Sequence, residues 1–466
     1  MGAIQGQRWS NWSGSVQCMP QEVIYPESIE KLSEVIRTHS QQGRHMRVVG
    51  SGHSFTPLVQ TGDILLSLDR LQGIERIDAD RKNGGTVTVL GGTNLKRLGD
   101  DLLARGLAQE NLGDIDVQSI SGAISTGTHG TGMRFGTLST QIEALTLVTA
   151  TGELLECSPE TNADIFKAAQ VSLGTLGVIA SVKLRVVPAK SMHFQSHSER
   201  LSDCLAKLER YKQENEHFEF FWFPYTNEVQ AKFINVTTAP ASTRNLWNTL
   251  WGNFNKVVLE NGVYWVLSEG CRLVPRLCQT VSNISAHAVA TVDEIDYSHH
   301  VFATPRWVRF NEMEYNIPAQ HVSTVIEEIR ACIDQHQFAV HFPIECRFVH
   351  SDDIWLSPAY QRESSYIAVH MYRGMEYKPY FRHVEEIFRR YDGRPHWGKM
   401  HTLDARRFAE LYPRWHDFRR IRAMLDPQGI FLNEYLSQIF DAEKDIPSQE
   451  NTSAVKIDTS ITGQEG

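Results

Sequence analysis

Two glycine-rich turns constrain this chain most: RVVGSGHSF over 47–55 and SISGAISTGTHGTG over 119–132, each carrying one histidine, His53 and His129. Such turns let the backbone approach a phosphate or an aromatic ring that a β-carbon would hold off. A third stretch, SLGTLGVI over 172–179, is spaced by Gly174 and Gly177. One tight turn is an ordinary connection. Several, at strand-to-loop junctions, present orphan N–H groups that can hold a phosphate-bearing cofactor without any cationic side chain. An enzyme with a large bound cofactor is the leading reading.

The remaining bulk properties narrow the field. A length of 466 residues allows two or three domains with substantial cores. A formal charge of −9, with no basic run interleaved with aromatics, argues against a nucleic-acid partner. The start, MGAIQGQRWS, lacks the charged and apolar regions of a secretory signal. No apolar run approaches the roughly 18 residues of a membrane span. A cytoplasmic protein, soluble or at most peripheral, is expected. Seven cysteines (18, 157, 204, 271, 278, 332 and 346) are odd in number and never form a CxxC pair. That pattern suits unpaired thiols in a reducing compartment and predicts no metal site.

Residues 20–190 read as alternating strands and helices. Ser28 can cap a helix with Ile29, Leu32, Val35 and Ile36 on one face, stopped by Gly43. MRVVG, ILLSL and TVTVLGG read as strands, and Asn94 opens a helix aligning Leu95, Leu98 and Leu102. ALTLVTATGELLEC reads as a hairpin closed by a T-G turn. From 191 to 385 the texture changes to aromatic strands, FEFFWFPY (218–225) and VRFNEMEYNIP (308–318), with a clear helix over 321–336. This predicts a second domain, an antiparallel sheet backed by helices. Short helices fill 386–440, and the polar, aperiodic 441–466 is expected to be disordered.

A Rossmann dinucleotide fold competes for the first turn. Gly50-Ser51-Gly52 follows a strand, and Asp69 closes another 19 residues after Gly50. Against it, Phe55 occupies the third glycine position, Pro57 interrupts the required helix, and a helix precedes the strand instead of following the turn. The Rossmann reading fails.

GSGHSF (50–55), GGTNLKRL (91–98), SISGAISTGTHGTG (119–132) and SLGTLGVI (172–179) together resemble the vanillyl-alcohol-oxidase-type flavoproteins. Within them the chain is similar to the aldonolactone oxidases, with alditol oxidase a near relative; RWSNWSGSVQC (8–18), HWGKMH (396–401) and LDPQGIFLNEYL (425–436) also carry the likeness. The resemblance implies an α+β, two-domain FAD-binding PCMH-type fold with an antiparallel-sheet substrate cap. The FAD domain would span 14–190, the cap 191–385, and a segment over 386–440 would return to the flavin. It implies FAD bound covalently through His53. Val48, Val49, Gly50, Ser51, Gly52 and Ser54 would line the cofactor, with Ser119, Gly122, Thr126, Gly127, Thr128 and His129. Val178 and Ile179 would lie against its adenine half, and His396 would contact the flavin.

A second constellation is Glu345-Cys346-Arg347 in HFPIECRF, with Lys399 downstream. In a strand, Glu345 and Arg347 project to one face. By residue pattern alone, an exposed ion pair worth little and a half-buried functional pair stand about even. The resemblance assigns Glu345, Arg347 and Lys399 to binding and polarising the substrate hydroxyls, with Glu345, or a water it holds, as base. Asp114 and His370 stand where alditol oxidase has Ser and Thr, which favours a lactone over an open-chain polyol. In the resembling enzymes Gly at position 113 accompanies reactivity with dioxygen, whereas Ala there shields the flavin. The expected reaction oxidises the C2 hydroxyl of a sugar 1,4-lactone, of the D-arabinono or L-gulono type, yielding H2O2 from O2. A polyol oxidase or dehydrogenase is the alternative.

Overall fold

The computed structural model describes residues 4–241, 261–303 and 308–440, so the tail expected to be disordered lies outside the described residues. The strand entering the first turn, Met46–Val49, pairs in parallel with Ile64–Ser67, which pairs in parallel with Glu22–Ile24. Helix Ile29–Gln41 covers this small sheet. Ser28 caps it by accepting the Lys31 N–H, and Leu32, Val35 and Ile36 are buried, as their spacing predicts. These side chains share one core with Met46, Leu66 and Val178, and with Ile430 and Phe431 from far along the chain. The backbone is joined too: Met46 N–H donates to the Ile430 carbonyl at 2.8 Å.

A second sheet is antiparallel throughout, in the order Leu154–Cys157, Ile142–Val148, Val178–Pro188, Gly84–Leu90, Ile74–Asp80. The expected T-G hairpin is its first pair, with Gly152 at φ +80°. Asn94 caps helix Leu95–Leu103, which buries Leu95, Leu98 and Leu102.

The third sheet has eight strands, Val292–Tyr297, Ser191–Arg200, Glu228–Thr237, His217–Trp222, Ile344–Val349, Ser364–Tyr372, Phe310–Pro318 and Arg394–Pro395, all antiparallel. Helices Val322–His336 and Lys378–Arg390 supply Ile326, Ile329, Val384 and Phe388 to its core. Its registers decide which charged side chains meet. Phe221, Glu345, Ala368 and Glu314 stand in one row across four strands; Glu219, Arg347, Tyr366 and Asn316 form a second row. Rows two residues apart share a face. One face of this sheet therefore presents Glu219, Glu345, Arg347, Glu312 and Glu314 together.

Candidate active site

That charged face closes one end of a long cleft. The polar chamber, of about 600 Å³, is lined by Asp114, Glu312, Glu314, Glu345, Arg347 and Lys399, with His53, His129 and His396. A longer arm of about 890 Å³ runs between the glycine turns and is lined by Val48, Gly50, Ser119, Gly122, Val178 and Ile179 among others. The two share His53, Ser54, Gln118 and Thr126, so they form one continuous groove.

The arm fits a phosphate-bearing cofactor. A β-carbon on Gly50 would stand 2.4 Å from Ser119 Oγ and displace that hydroxyl, and Gly52 lies at φ +67°, where a side chain is strained. Among the described residues the backbone N–H groups of Ser51, Gly52, His53 and Ser54 have no intramolecular acceptor, which leaves a run of donors beside the groove. Arg47 lines the arm but is not a phosphate ligand: its guanidinium donates to the carbonyls of Leu58, Leu173, Gly174 and Phe431. It clamps the walls.

HWGK is stitched between both domains. His396 and Met400 N–H groups donate to the carbonyls of Glu314 and Glu312, while Gly398 accepts from Phe55 N–H at 2.7 Å. Trp397 is fully buried, its indole N–H donating to Leu356 and its carbonyl accepting from Thr56 Oγ1. These bonds hold Lys399 Nζ 2.5 Å from Glu312 Oε2. Arg347 is engaged by three carboxylates: Glu219 at 2.8 Å, Asp114 at 3.7 Å, and Glu345. Burial pushes the Glu219 carboxyl up, but Arg347 and then Lys232 outweigh it and hold it below its ordinary range.

The histidines divide by their partners. His53 Nδ1 faces the Ser51 carbonyl at 3.1 Å, which assigns the proton to Nδ1 and leaves the lone pair on Nε2. Its ring stacks on Trp12, and burial, with Lys399 nearby, depresses its pKa, so it is neutral and nucleophilic. His129 stacks on Tyr366 and offers both nitrogens to acceptors, the Gly130 carbonyl at 2.9 Å and Glu314 Oε1 at 3.1 Å. Burial raises the Glu314 carboxyl, but His129, Lys399 and His396 together pull it down to about 2. His396 Nδ1 accepts the Gly398 N–H at 3.0 Å, leaving Nε2–H as a donor; burial holds its pKa at about 3.

Three expected residues sit elsewhere. His370 lies one step behind the chamber: its register opposes Glu312, which intervenes, and its Nδ1 faces the Pro343 carbonyl at 3.1 Å. Val49 alternates away from Val48 into a small core with Val23 and Leu65. Gly127, at φ +70°, turns toward Pro358 and away from the groove that its neighbours Thr126 and Thr128 line. Sequence reading also missed Glu312, Glu314, Glu219 and Gln118. The signal for the first two was present, as acids at alternate positions of a strand rich in apolar and aromatic residues.

A family model described as D-arabinono-1,4-lactone oxidase matches residues 182–439, and one described as FAD binding domain matches 20–158. The chain belongs to the D-arabinono-1,4-lactone oxidase family. It is 40% identical over 432 residues to an L-gulono-1,4-lactone dehydrogenase of Mycobacterium tuberculosis, covering 92% of this chain and 98% of the relative. It is 35% identical over 440 residues to an L-gulonolactone oxidase of Scyliorhinus torazame, covering 93% and 98%. The crystal structure of cholesterol oxidase from B. sterolicum superposes with a TM-score of 0.75 at 18% identity, over 94% of this chain and 97% of that one. That likeness concerns the fold, a two-domain FAD-binding PCMH-type architecture.

As a member of this family the chain is an FAD-dependent oxidoreductase acting on CH–OH donors. No helix among the described residues is long and apolar enough to cross a membrane.

Neutral buried histidines give this flavoprotein an acid-side weakness. Burial holds His396 at about 3 and His401 at about 4. Below about pH 6.5 the unfolded chain binds protons that both sites refuse, so each costs about 1.4 kcal/mol of stability per pH unit. Glu314 adds a loss of the same sign below its ordinary range, as pH falls toward about 2. Urea denaturation should show stability falling steeply from pH 6.5 to 4, with a shallower slope for His401→Asn. An unchanged slope in that variant contradicts the assignment.

Proposed function

We propose that the chain oxidises the C2 hydroxyl of a sugar 1,4-lactone, of the L-gulono or D-arabinono type, with FAD held covalently through His53 and dioxygen as acceptor. The observation that carries this is the pairing of Arg347–Glu345 and Lys399–Glu312 in one chamber that His53 also lines. Each cation there is matched by a carboxylate, so the wall alternates donors and acceptors. Such a lining suits the hydroxyls of a neutral sugar. Four lining carboxylates, Asp114, Glu312, Glu314 and Glu345, against two cations disfavour an anionic substrate. The lactone should therefore be turned over and its hydrolysed aldonate should not.

Bound FAD supplies the hydride acceptor. The chain's own groups handle the proton and the charge. Arg347, buried, and Lys399, half-buried, stabilise the developing alkoxide in a setting where a fixed cation counts for more than in water. Glu345, directly or through one water, takes the hydroxyl proton. His396 donates Nε2–H, its tautomer set by Gly398. His53, neutral and with its Nε2 lone pair available, is the residue that would hold the flavin covalently.

A panel of L-gulono-1,4-lactone, D-arabinono-1,4-lactone, their aldonates and xylitol, with peroxide measured, tests the reading. Turnover of xylitol alone sinks it. A dehydrogenase is the second reading, favoured by the relative of that name. Gly113 lines the chamber, and a β-carbon there would stand 3.2 Å from the His129 carbonyl and 3.3 Å from Thr128 Cγ2, so Gly113→Ala probes the acceptor. Gly113→Ala should cut peroxide formation while turnover with an artificial dye acceptor persists. Negligible peroxide from the unaltered protein, with brisk dye reduction, favours the dehydrogenase.

A further inference from the structure

Away from the cleft, the cap buries three soft-metal ligands together. The ligand atoms of Cys271, Cys278 and His341 all lie within 4.8 Å of one another, and the three residues are at most 1% exposed. Cys271 ends helix Asn261–Leu273 and Cys278 begins helix Cys278–His287, with the corner Pro275–Leu277 between them. His341 arrives from the segment that leads into strand Ile344–Val349. Chain spacing conceals the group, since a seven-residue step between thiols and a distant histidine match no sequence motif.

The geometry fits a metal site. Cys278 Sγ and His341 Nδ1 stand 3.8 Å apart. Zinc bonds of ~2.3 Å to sulfur and ~2.0 Å to nitrogen, at a tetrahedral angle, separate those atoms by about 3.5 Å. The other ring nitrogen, Nε2, lies 3.0 Å from Ser268 Oγ, a fully buried hydroxyl. With Nε2–H donated to that oxygen, the Nδ1 lone pair faces the thiols, the outer-shell bond that metal-bound histidines ordinarily make. Tyr264 packs its ring 5.9 Å from that of His341, and its buried hydroxyl, without a hydrogen-bond partner among the described residues, offers a fourth donor. The rings of Phe342 and Tyr372 pack at a tilt against His341.

We propose that Cys271, Cys278 and His341, with Tyr264, bind one zinc ion. Binding displaces the two thiol protons to solvent and involves no change of oxidation state. The ion ties the corner of two cap helices to the segment entering the strand that carries Glu345 and Arg347. Because the ligands are buried, it loads during folding and leaves only on unfolding.

The test uses the full-length holoprotein, produced with zinc and passed through EDTA and desalting. Elemental analysis should find about one zinc per chain, released to a chromogenic chelator only after guanidinium is added. Cys271→Ser and His341→Ala should lack it. If those variants fold poorly, Ser268→Ala keeps every ligand and should weaken zinc affinity by roughly ten- to a hundredfold. Zinc content equal in the unaltered protein and in Cys271→Ser, or an unaffected Ser268→Ala, overturns the proposal. So does a thiol count two short of the seven cysteines in denatured, unreduced protein, which means a Cys271–Cys278 disulfide.

Discussion

Arg347→Met should lower kcat/KM for a sugar lactone by about 10²–10³-fold, the scale of removing one preorganised charge donor from an oxyanion site. It should also destabilise the fold by about 3–5 kcal/mol, as breaking a buried ion pair does. The reason is local. Arg347 is the shared partner of Glu345, Glu219 and Asp114, and Met leaves these carboxylates facing one another in a buried chamber. Lys232 still reaches Glu219 at 3.2 Å, so that acid is the least affected. One of the others must then take up a proton, its folded pKa rising above the unfolded value. Such a group stabilises the variant below the unfolded pKa and loses that contribution as pH rises. The stability deficit of Arg347→Met should therefore be smaller at pH 5 than at pH 8, the reverse of the unaltered protein's own trend. Arg347→Lys keeps the charge without the fork and should recover only part of the rate. Kinetics and urea denaturation at both pH values check this. An equal deficit at pH 5 and 8 would mean that the carboxylates are not coupled through Arg347.

His53→Ala should abolish acid-stable flavin altogether while leaving the protein folded and able to bind FAD reversibly. The fold is spared because His53 contributes one backbone hydrogen bond and a stack on Trp12, both at the cleft edge. Reversible binding persists because the arm relies on backbone donors and on the closure of Gly50 against Ser119. Turnover at saturating FAD should fall, since a covalent tether raises the potential of the flavin. Acid precipitation followed by absorbance of the pellet and supernatant reads the outcome. Yellow pellets from His53→Ala would mean that another side chain carries the attachment.

How far the chain is legible without its fold depends on the range of each signal. Ser28 and Asn94 mark helix starts by a short-range capping bond, and both caps are present. Glu345 and Arg347 project together because a strand alternates with period two, again a local rule. Glu312 and Glu314 obey the same rule but lie in a strand dense with aromatic and apolar residues, which drew attention to the core. Their importance arises only when Phe310–Pro318 pairs with Ser364–Tyr372 and HWGK folds across them. His370 shows the converse, where a single register position decides whether a side chain lines the chamber or stands behind Glu312. The order of eight strands joins segments a hundred or more residues apart, and no local pattern encodes it.

The proposed chemistry has a neutral sugar lactone oxidised in the chamber of Glu345, Arg347 and Lys399 by the flavin anchored at His53. Anaerobic stopped-flow mixing of the holoprotein with L-gulono-1,4-lactone isolates that step, with the visible flavin absorbance followed in a single turnover. Rapid bleaching by the lactone is expected, none by its aldonate, and bleaching slowed by at least about 10²-fold in Arg347→Met. A flavin that stays oxidised with every lactone yet bleaches with xylitol, or that bleaches equally fast in Arg347→Met, would refute this chemistry.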